Sequence, residues 1–289
     1  MDKSNTKPRT IFFISDGTGI TAEALGQSLL TQFNGSQFKT QKIPYINTIQ
    51  RANETASKII NIYTNFKNHA DLKDAEKLRP IVISSLVDPD IRDVFKNKPE
   101  FFFIDLFEQY LEPLEKELGV KASNAVGKAH GLINQQQYDS RIDAINYTLQ
   151  TDDGLSPKYY ESADIIIIGV SRCGKTPTCL YLSVQFGINA ANYPLTEEDL
   201  ENTDLPKHLE KYKYKLFGLS IYVDRLHQIR TKRRANSKYS SYEQCEYEVK
   251  QAEKMMTKHD IPFMYSTFHS IEEISTSIIT HINNYCDIR

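Results

Sequence analysis

The strongest chemical signal in the sequence is Gly169-Val170-Ser171-Arg172-Cys173-Gly174-Lys175-Thr176, which meets the pattern G-x-x-x-x-G-K-[ST] at every fixed position. At average composition, a chain of 289 residues meets it by chance roughly once in a hundred. The chemistry on offer is anion binding. Glycines let consecutive backbone N–H groups converge on one point, and a helix beginning there adds the positive end of its dipole. Lys175 is expected to reach the terminal phosphates of a nucleotide, and Thr176 to offer its hydroxyl to Mg2+. Pro177 stands where the first helical residue is expected, and its fixed φ and missing N–H are tolerated there. The plain alternative is a tight glycine turn with an exposed lysine. Cys173 reads two ways, as a thiol activated by the helix N-terminus or as a small filler within the loop.

Phosphoryl transfer also needs carboxylates to hold metal and to orient or deprotonate the acceptor hydroxyl. Asp16, Asp105 and Asp224 each end an apolar run, where such groups project from an α/β sheet, although an aspartate there is often a helix cap or turn residue. Asp16 lies in a second glycine-flanked loop, Ser15-Asp16-Gly17-Thr18-Gly19, and Asp224 shares a domain with the lysine loop as its expected metal-holding carboxylate. Between Lys207 and Lys238 there are ten Lys/Arg against only Glu210 and Asp224, which points to a local anionic ligand or acidic surface. Arg225, Arg230, Arg233 and Arg234 are the phosphate-contact candidates within that stretch, with a solvated helix face as the alternative for each. His130 falls in a polar segment before the helical pattern of Tyr138 to Leu149.

These residues need elements to hold them. Thr10 to Ser15, Ile43 to Ile46, Pro80 to Ser85 and Phe101 to Leu106 read as strands, and Ile20 to Phe33, Ile49 to Phe66, Asp88 to Phe95 and Phe107 to Leu118 carry helical spacing. Ala163 to Ile168 is the most apolar strand, with four consecutive isoleucines that suit burial on both faces. Phe217 to Val223, a basic helix from near Arg225, Pro262 to Ser266 and a helix over Ser270 to Tyr285 follow. Strands alternating with helices predict an N-terminal α/β domain with a mostly parallel sheet, residues 1–155, and a C-terminal α/β domain of P-loop kinase type, residues 156–289. The polar run Thr151 to Pro157 marks the expected boundary.

The composition agrees with a globular chain, 40% apolar with 35 Lys+Arg against 37 Asp+Glu, and gives no global charge argument for nucleic acid or a membrane surface. No apolar run approaches the ~20 residues of a transmembrane helix. The polar opening Met1 to Asn5 lacks a secretory leader, and the four cysteines form no CxxC pair, so a reducing, cytoplasmic setting is expected.

Three further segments narrow the reading: Tyr138-Asp139-Ser140-Arg141-Ile142-Asp143-Ala144-Ile145, Asp152-Asp153-Gly154, and Gln185 to Pro194 with its Ala190-Ala191-Asn192-Tyr193-Pro194 ending. With Ile14 to Thr18 and the loop running into Thr176-Pro177-Thr178, they make the chain resemble the bacterial phosphoenolpyruvate synthase regulatory proteins, relatives of the pyruvate, phosphate dikinase regulatory proteins. The resemblance implies two opposed activities. One phosphorylates a threonine of phosphoenolpyruvate synthase from ADP, and the other removes that phosphate with inorganic phosphate, releasing pyrophosphate. It places the nucleotide on Gly169 to Thr176 and makes phosphoenolpyruvate synthase the partner; the residues themselves offer Lys175, Asp16 and Asp224 as catalytic candidates and Mg2+ as cofactor, and a homodimer is the expected assembly. Two rival expectations are an ATP-dependent small-molecule kinase and a non-catalytic nucleotide sensor.

Overall fold

The alternating apolar runs and amphipathic stretches form two separate parallel sheets, each flanked by helices. The computed structural model describes residues 8–68, 78–125, 135–154 and 157–286. His130 lies outside them. Two compact units divide the chain, Met1–Ile133 and Asn134–Arg289.

In the first unit the order is β1 (Arg9–Ile14), α1 (Ile20–Leu30), β2 (Phe38–Ile43), α2 (Ile49–Lys67), β3 (Ile81–Ser84), α3 (Pro89–Asp93), β4 (Phe102–Asp105) and α4 (Glu108–Leu118). The strands lie in the order β2-β1-β3-β4, all parallel, with Ile14 opposite both Ile43 and Ser84. Period-two alternation splits β1 between two cores. Phe12 and Ile14 pack with Ile59, Leu86 and Phe95, whereas Ile11 and Phe13 pack with Ala22 and Ile83. Helix starts follow local chemistry: Thr48 accepts from Arg51 N–H at 3.2 Å to cap α2, and Asp88 accepts from Asp90 N–H at 2.9 Å ahead of Pro89.

The second unit runs α5 (Gln135–Gln150), β5 (Ile165–Gly169), α6 (Lys175–Phe186), β6 (Ala190–Pro194), α7 (Glu197–Glu201), α8 (Lys207–Glu210), β7 (Leu216–Ser220), α9 (Val223–Arg233), α10 (Tyr242–Lys258), β8 (Phe263–Tyr265) and α11 (Ile271–Cys286). Its sheet is again all parallel, in the order β6-β5-β7-β8. The four isoleucines of β5 are all fully buried, as a central strand covered on both faces requires. Each such side chain contributes about 1.5–3 kcal/mol by leaving water.

The division into units falls earlier in the chain than the polar run at 151–157. Helix α5 belongs with the second unit because Thr148 Oγ1 donates to Ala190 O at 2.8 Å and Tyr147 OH donates to Tyr159 O at 2.8 Å. Two strands also differ from expectation. β2 lies at Phe38–Ile43, ahead of the expected Ile43 to Ile46, and β6 carries no apolar run at all. Both are edge strands, and edge strands need little apolar character.

Both sheets share one topological consequence. The chain leaves the first strand to one side (β2, β6) and later crosses to the other (β3, β7), so each sheet has a switch point beside its first strand. The crevice at the carboxyl ends of strands at such a point is where ligands bind in open α/β sheets.

Candidate phosphate-binding site

At the switch point of the second sheet, β5 ends at Gly169, and the chain turns through Val170 to Gly174 into α6. Gly169 has no room for a side chain: a Cβ there would lie 2.3 Å from the Leu219 carbonyl oxygen on β7. Arg172 and Gly174 take positive φ values of 77° and 102°, which coils the loop tightly over the start of the helix. α6 begins at Lys175 with no side chain capping its first turn, so its positive end stays available to an anion. Pro177 is therefore the third helical residue rather than the first, still inside the turn whose N–H groups have no helical acceptor.

Lys175 is 5% exposed, and its Nζ donates to Val170 O at 2.9 Å, 4.0 Å from Cys173 Sγ. Among the described residues no carboxylate forms an ion pair with it. A buried ammonium held by a carbonyl, beside a helix N-terminus, is a charge waiting for a negative partner. A cleft of about 470 Å3 opens beside it, lined by Arg172, Lys175, Thr176, Asp152, Asp153 and Pro194 among others. The Cys173 thiol is buried inside the loop, and that burial pushes its pKa up, with Lys175 offsetting only part, so the geometry favours the filler over the activated thiol.

The carboxylate beside Thr176 is Asp152. Thr176 Oγ1 donates to Asp152 Oδ1 at 2.9 Å, and Asn192 Nδ2 donates to the same oxygen and lies 3.3 Å from Thr176 Oγ1. Asp153 N–H in turn donates to Asn192 Oδ1 at 3.2 Å. The knot joins a 3-10 turn (Asp152–Gly154), the first turn of α6 and the edge strand β6. Its oxygens are the ligands Mg2+ takes, one or two carboxylates and a hydroxyl, with phosphate and water completing the shell. Among the described residues no group of three or more His, Cys, Asp or Glu side chains could hold a metal without such help.

Asp224 sits elsewhere. It is exposed in the first turn of α9, where a negative charge suits the helix dipole, and its nearby charge raises the pKa of the Tyr242 phenol. The arginines divide as well. Arg225 and Arg233 are exposed along α9 with Lys232, and Arg234 is exposed at its end. Arg230 is fully buried and cannot meet a phosphate directly. Its Nη2 donates to Glu248 Oε2 at 2.6 Å and to Ser171 O at 3.1 Å, its Nη1 donates to Tyr239 O at 3.1 Å, and its guanidinium lies 4.2 Å over the Tyr239 ring. Tyr239 OH also bonds Ser171 Oγ at 3.1 Å. Arg230 thus braces the phosphate loop from beneath. Arg230→Met is expected to lower stability by about 3–5 kcal/mol, because Glu248 is left buried without its partner. Adding Glu248→Leu is expected to restore much of the loss, read from denaturant midpoints of the single and double variants.

Asp16 belongs to the first unit. It is 6% exposed, and its Oδ2 accepts from Val87 N–H at 2.8 Å across the switch point of that sheet. It lines a cavity of about 230 Å3 with Thr18, Gly19, Ser85, Phe107 and Leu111, and among the described residues no Lys or Arg lines it. Thr18 Oγ1 is buried there and unpaired among the described residues. Asp105 is a structural residue: Oδ1 caps α4 through Phe107 N–H at 2.9 Å and Glu108 N–H at 3.1 Å, and Oδ2 faces Arg92 Nε at 3.3 Å.

With this geometry in view, the sequence comparisons decide the family. The model of the kinase/pyrophosphorylase family matches residues 11–279. The chain belongs to the kinase/pyrophosphorylase family. Among its relatives, proteins of Stutzerimonas stutzeri and Legionella pneumophila are each 49% identical over 271 residues, covering 94% of this chain and 96% of theirs. One of Pseudomonas aeruginosa is 48% identical over 271 residues, covering 94% of this chain and 95% of its own. All three bear the name of a phosphoenolpyruvate synthase regulatory protein. Among the described residues no helix is long and apolar enough to cross a membrane.

The residues that sequence reasoning missed as site residues are Asp152, Asn192, Glu248 and Tyr239. Asp152 and Asn192 lie in two of the segments that carry the family resemblance, Asp152-Asp153-Gly154 and Ala191-Asn192-Tyr193-Pro194, and that was the available signal.

Proposed function

We propose that this protein is a bifunctional regulator of phosphoenolpyruvate synthase. In one direction a threonine hydroxyl of the synthase attacks the β-phosphorus of ADP, the bond to the bridging oxygen breaks, and AMP leaves. In the other, inorganic phosphate attacks the phosphothreonine phosphorus, and threonine and pyrophosphate are the products. The observation that carries this reading is the buried, carboxylate-free ammonium of Lys175 in a glycine loop beside the Asp152–Thr176 pair. The family and the relatives' names support the target and the paired reactions.

A loop of this type usually grips the α- and β-phosphates while a γ-group departs, and ADP has none. The loop is therefore read as holding the β-phosphate, the group that moves. In reverse it holds inorganic phosphate, which becomes half of the pyrophosphate. Lys175 balances charge on the moving group in both directions. Asp152 and Thr176 would hold Mg2+, which supplies charge neutralisation on the phosphate oxygens. Asp152 takes here the role first assigned to Asp224.

The test is one incubation of the purified protein with phosphoenolpyruvate synthase and ADP labelled in its β-phosphate. Label on a synthase threonine, AMP as the other product, and release of labelled pyrophosphate on adding inorganic phosphate are expected. Transfer from ATP to a free metabolite, or nucleotide recovered unchanged, overturns the reading in favour of a small-molecule kinase or a sensor.

A further inference from the structure

Among the described residues no aromatic side chain lines the cleft beside Lys175, so it offers no ring surface of theirs to a nucleotide. Aromatic surface stands instead at the neighbouring strand ends. At and beyond the ends of β7 and β8, on the side of β5 opposite β6, lie Tyr222, Tyr265 and Phe268. Phe268 is 71% exposed and Tyr222 49% exposed. The Tyr222 ring sits 5.1 Å from that of Tyr265 and 5.0 Å, edge-on, from that of Phe268.

We propose that Tyr222, Tyr265 and Phe268 form the platform on which the base of the nucleoside diphosphate stacks. The proposal deepens the ADP-dependent reading above and rests on it. Three observations carry it. First, the rings are held in place: Ser266 N–H and Oγ both donate to Ser220 O, at 2.9 and 3.2 Å, and Tyr222 N–H donates to Thr267 Oγ1 at 3.0 Å. A platform ordered before binding loses little entropy when a base lands on it. Second, the segment that carries two of the rings meets the glycine loop: Ser266, next to Tyr265 and two residues before Phe268, has its Cβ 3.8 Å from where a Cβ on Gly174, the N-cap of α6, would stand. Third, the exposed rings carry no charge and present flat apolar faces, which suits a nucleobase rather than a second anion.

The test measures binding of ADP and of pyrophosphate to the full chain by calorimetry. Pyrophosphate fills the cradle without a base. Phe268→Ala and Tyr222→Ala are expected to weaken ADP by about 5- to 150-fold each, the range for losing one base-stacking ring. Pyrophosphate affinity is expected to stay within about twofold of wild type, since the loop is untouched. The chain contains no tryptophan, so Phe268→Trp supplies a single emitter, whose fluorescence is expected to change with ADP and not with pyrophosphate. ADP affinity unchanged in both alanine variants overturns the proposal alone. Equal weakening of both ligands overturns it too, by showing that the rings act on the loop. A wild-type chain that binds pyrophosphate but not ADP overturns the donor assignment above and, with it, the platform.

Discussion

Lys175→Met is expected to abolish both activities together, each falling by at least about 10²–10³-fold, the range seen when one electrostatic donor to a developing charge is removed. The argument is local. The ammonium is 95% buried by its 5% exposure, bonded to Val170 O, and lacks a carboxylate among the described residues, so its charge is uncompensated until an anion arrives. Methionine keeps most of the volume and removes the charge with its one bond to Val170 O, so the fold is expected to persist. The turn itself is set by the backbone at Gly169, Arg172 and Gly174, while the ammonium's bond to Val170 O is lost with the charge, so the melting temperature separates loss of fold from loss of charge. The check is a pair of assays on one preparation, ADP-dependent phosphorylation of the synthase and phosphate-dependent release of pyrophosphate, with melting temperature as control. Loss of one activity with the other intact would place the two reactions at different cradles.

The glycine loop was legible in the sequence as a turn between strand and helix because its physics is local. Strand, glycine turn, lysine and helix start occupy consecutive residues, and four isoleucines in a row fit only a strand covered on both faces. Asp152 was not legible in the same way. Its contact with Thr176 spans 24 residues and depends on a 3-10 turn and on Asn192 from β6, a strand whose small residues and edge position give no apolar pattern. Asp224 carried the same residue type at a strand end, but its side chain meets Tyr242 on the next helix instead. Arg230 shows the converse. A basic stretch reads as surface until α10 supplies Glu248, and then the arginine becomes the most completely buried cation of the described residues. Asp16 stands between these cases: its glycine-flanked loop was legible, while the cavity it lines and the bond from Val87 N–H, 71 residues away, were not.

Asp152→Asn separates the two carboxylates most sharply. Asparagine keeps an oxygen that can accept from Thr176 Oγ1 and from Asn192 Nδ2, so the knot is expected to hold and the melting temperature to change little. The negative charge beside the Thr176 hydroxyl is lost, and with it the strongest ligand for a hard cation. Phosphoryl transfer is expected to fall by about 10²-fold or more, with the remaining rate needing a higher Mg2+ concentration to saturate. Asp152→Ala is expected to do more, because Asn192, 1% exposed, then keeps a buried amide with one partner fewer, at about 1–3 kcal/mol in stability. Asp224→Asn is the matched control, since that carboxylate is exposed on α9 with its charge felt by Tyr242, and it is expected to leave rate and Mg2+ dependence near wild type. The measurement is initial rate against Mg2+ concentration for the three variants. An Asp152→Asn protein with wild-type rate and Mg2+ response, beside an inactive Asp224→Asn, would move the metal-holding role to the start of α9 and leave the Asp152 knot as a brace for the first turn of α6.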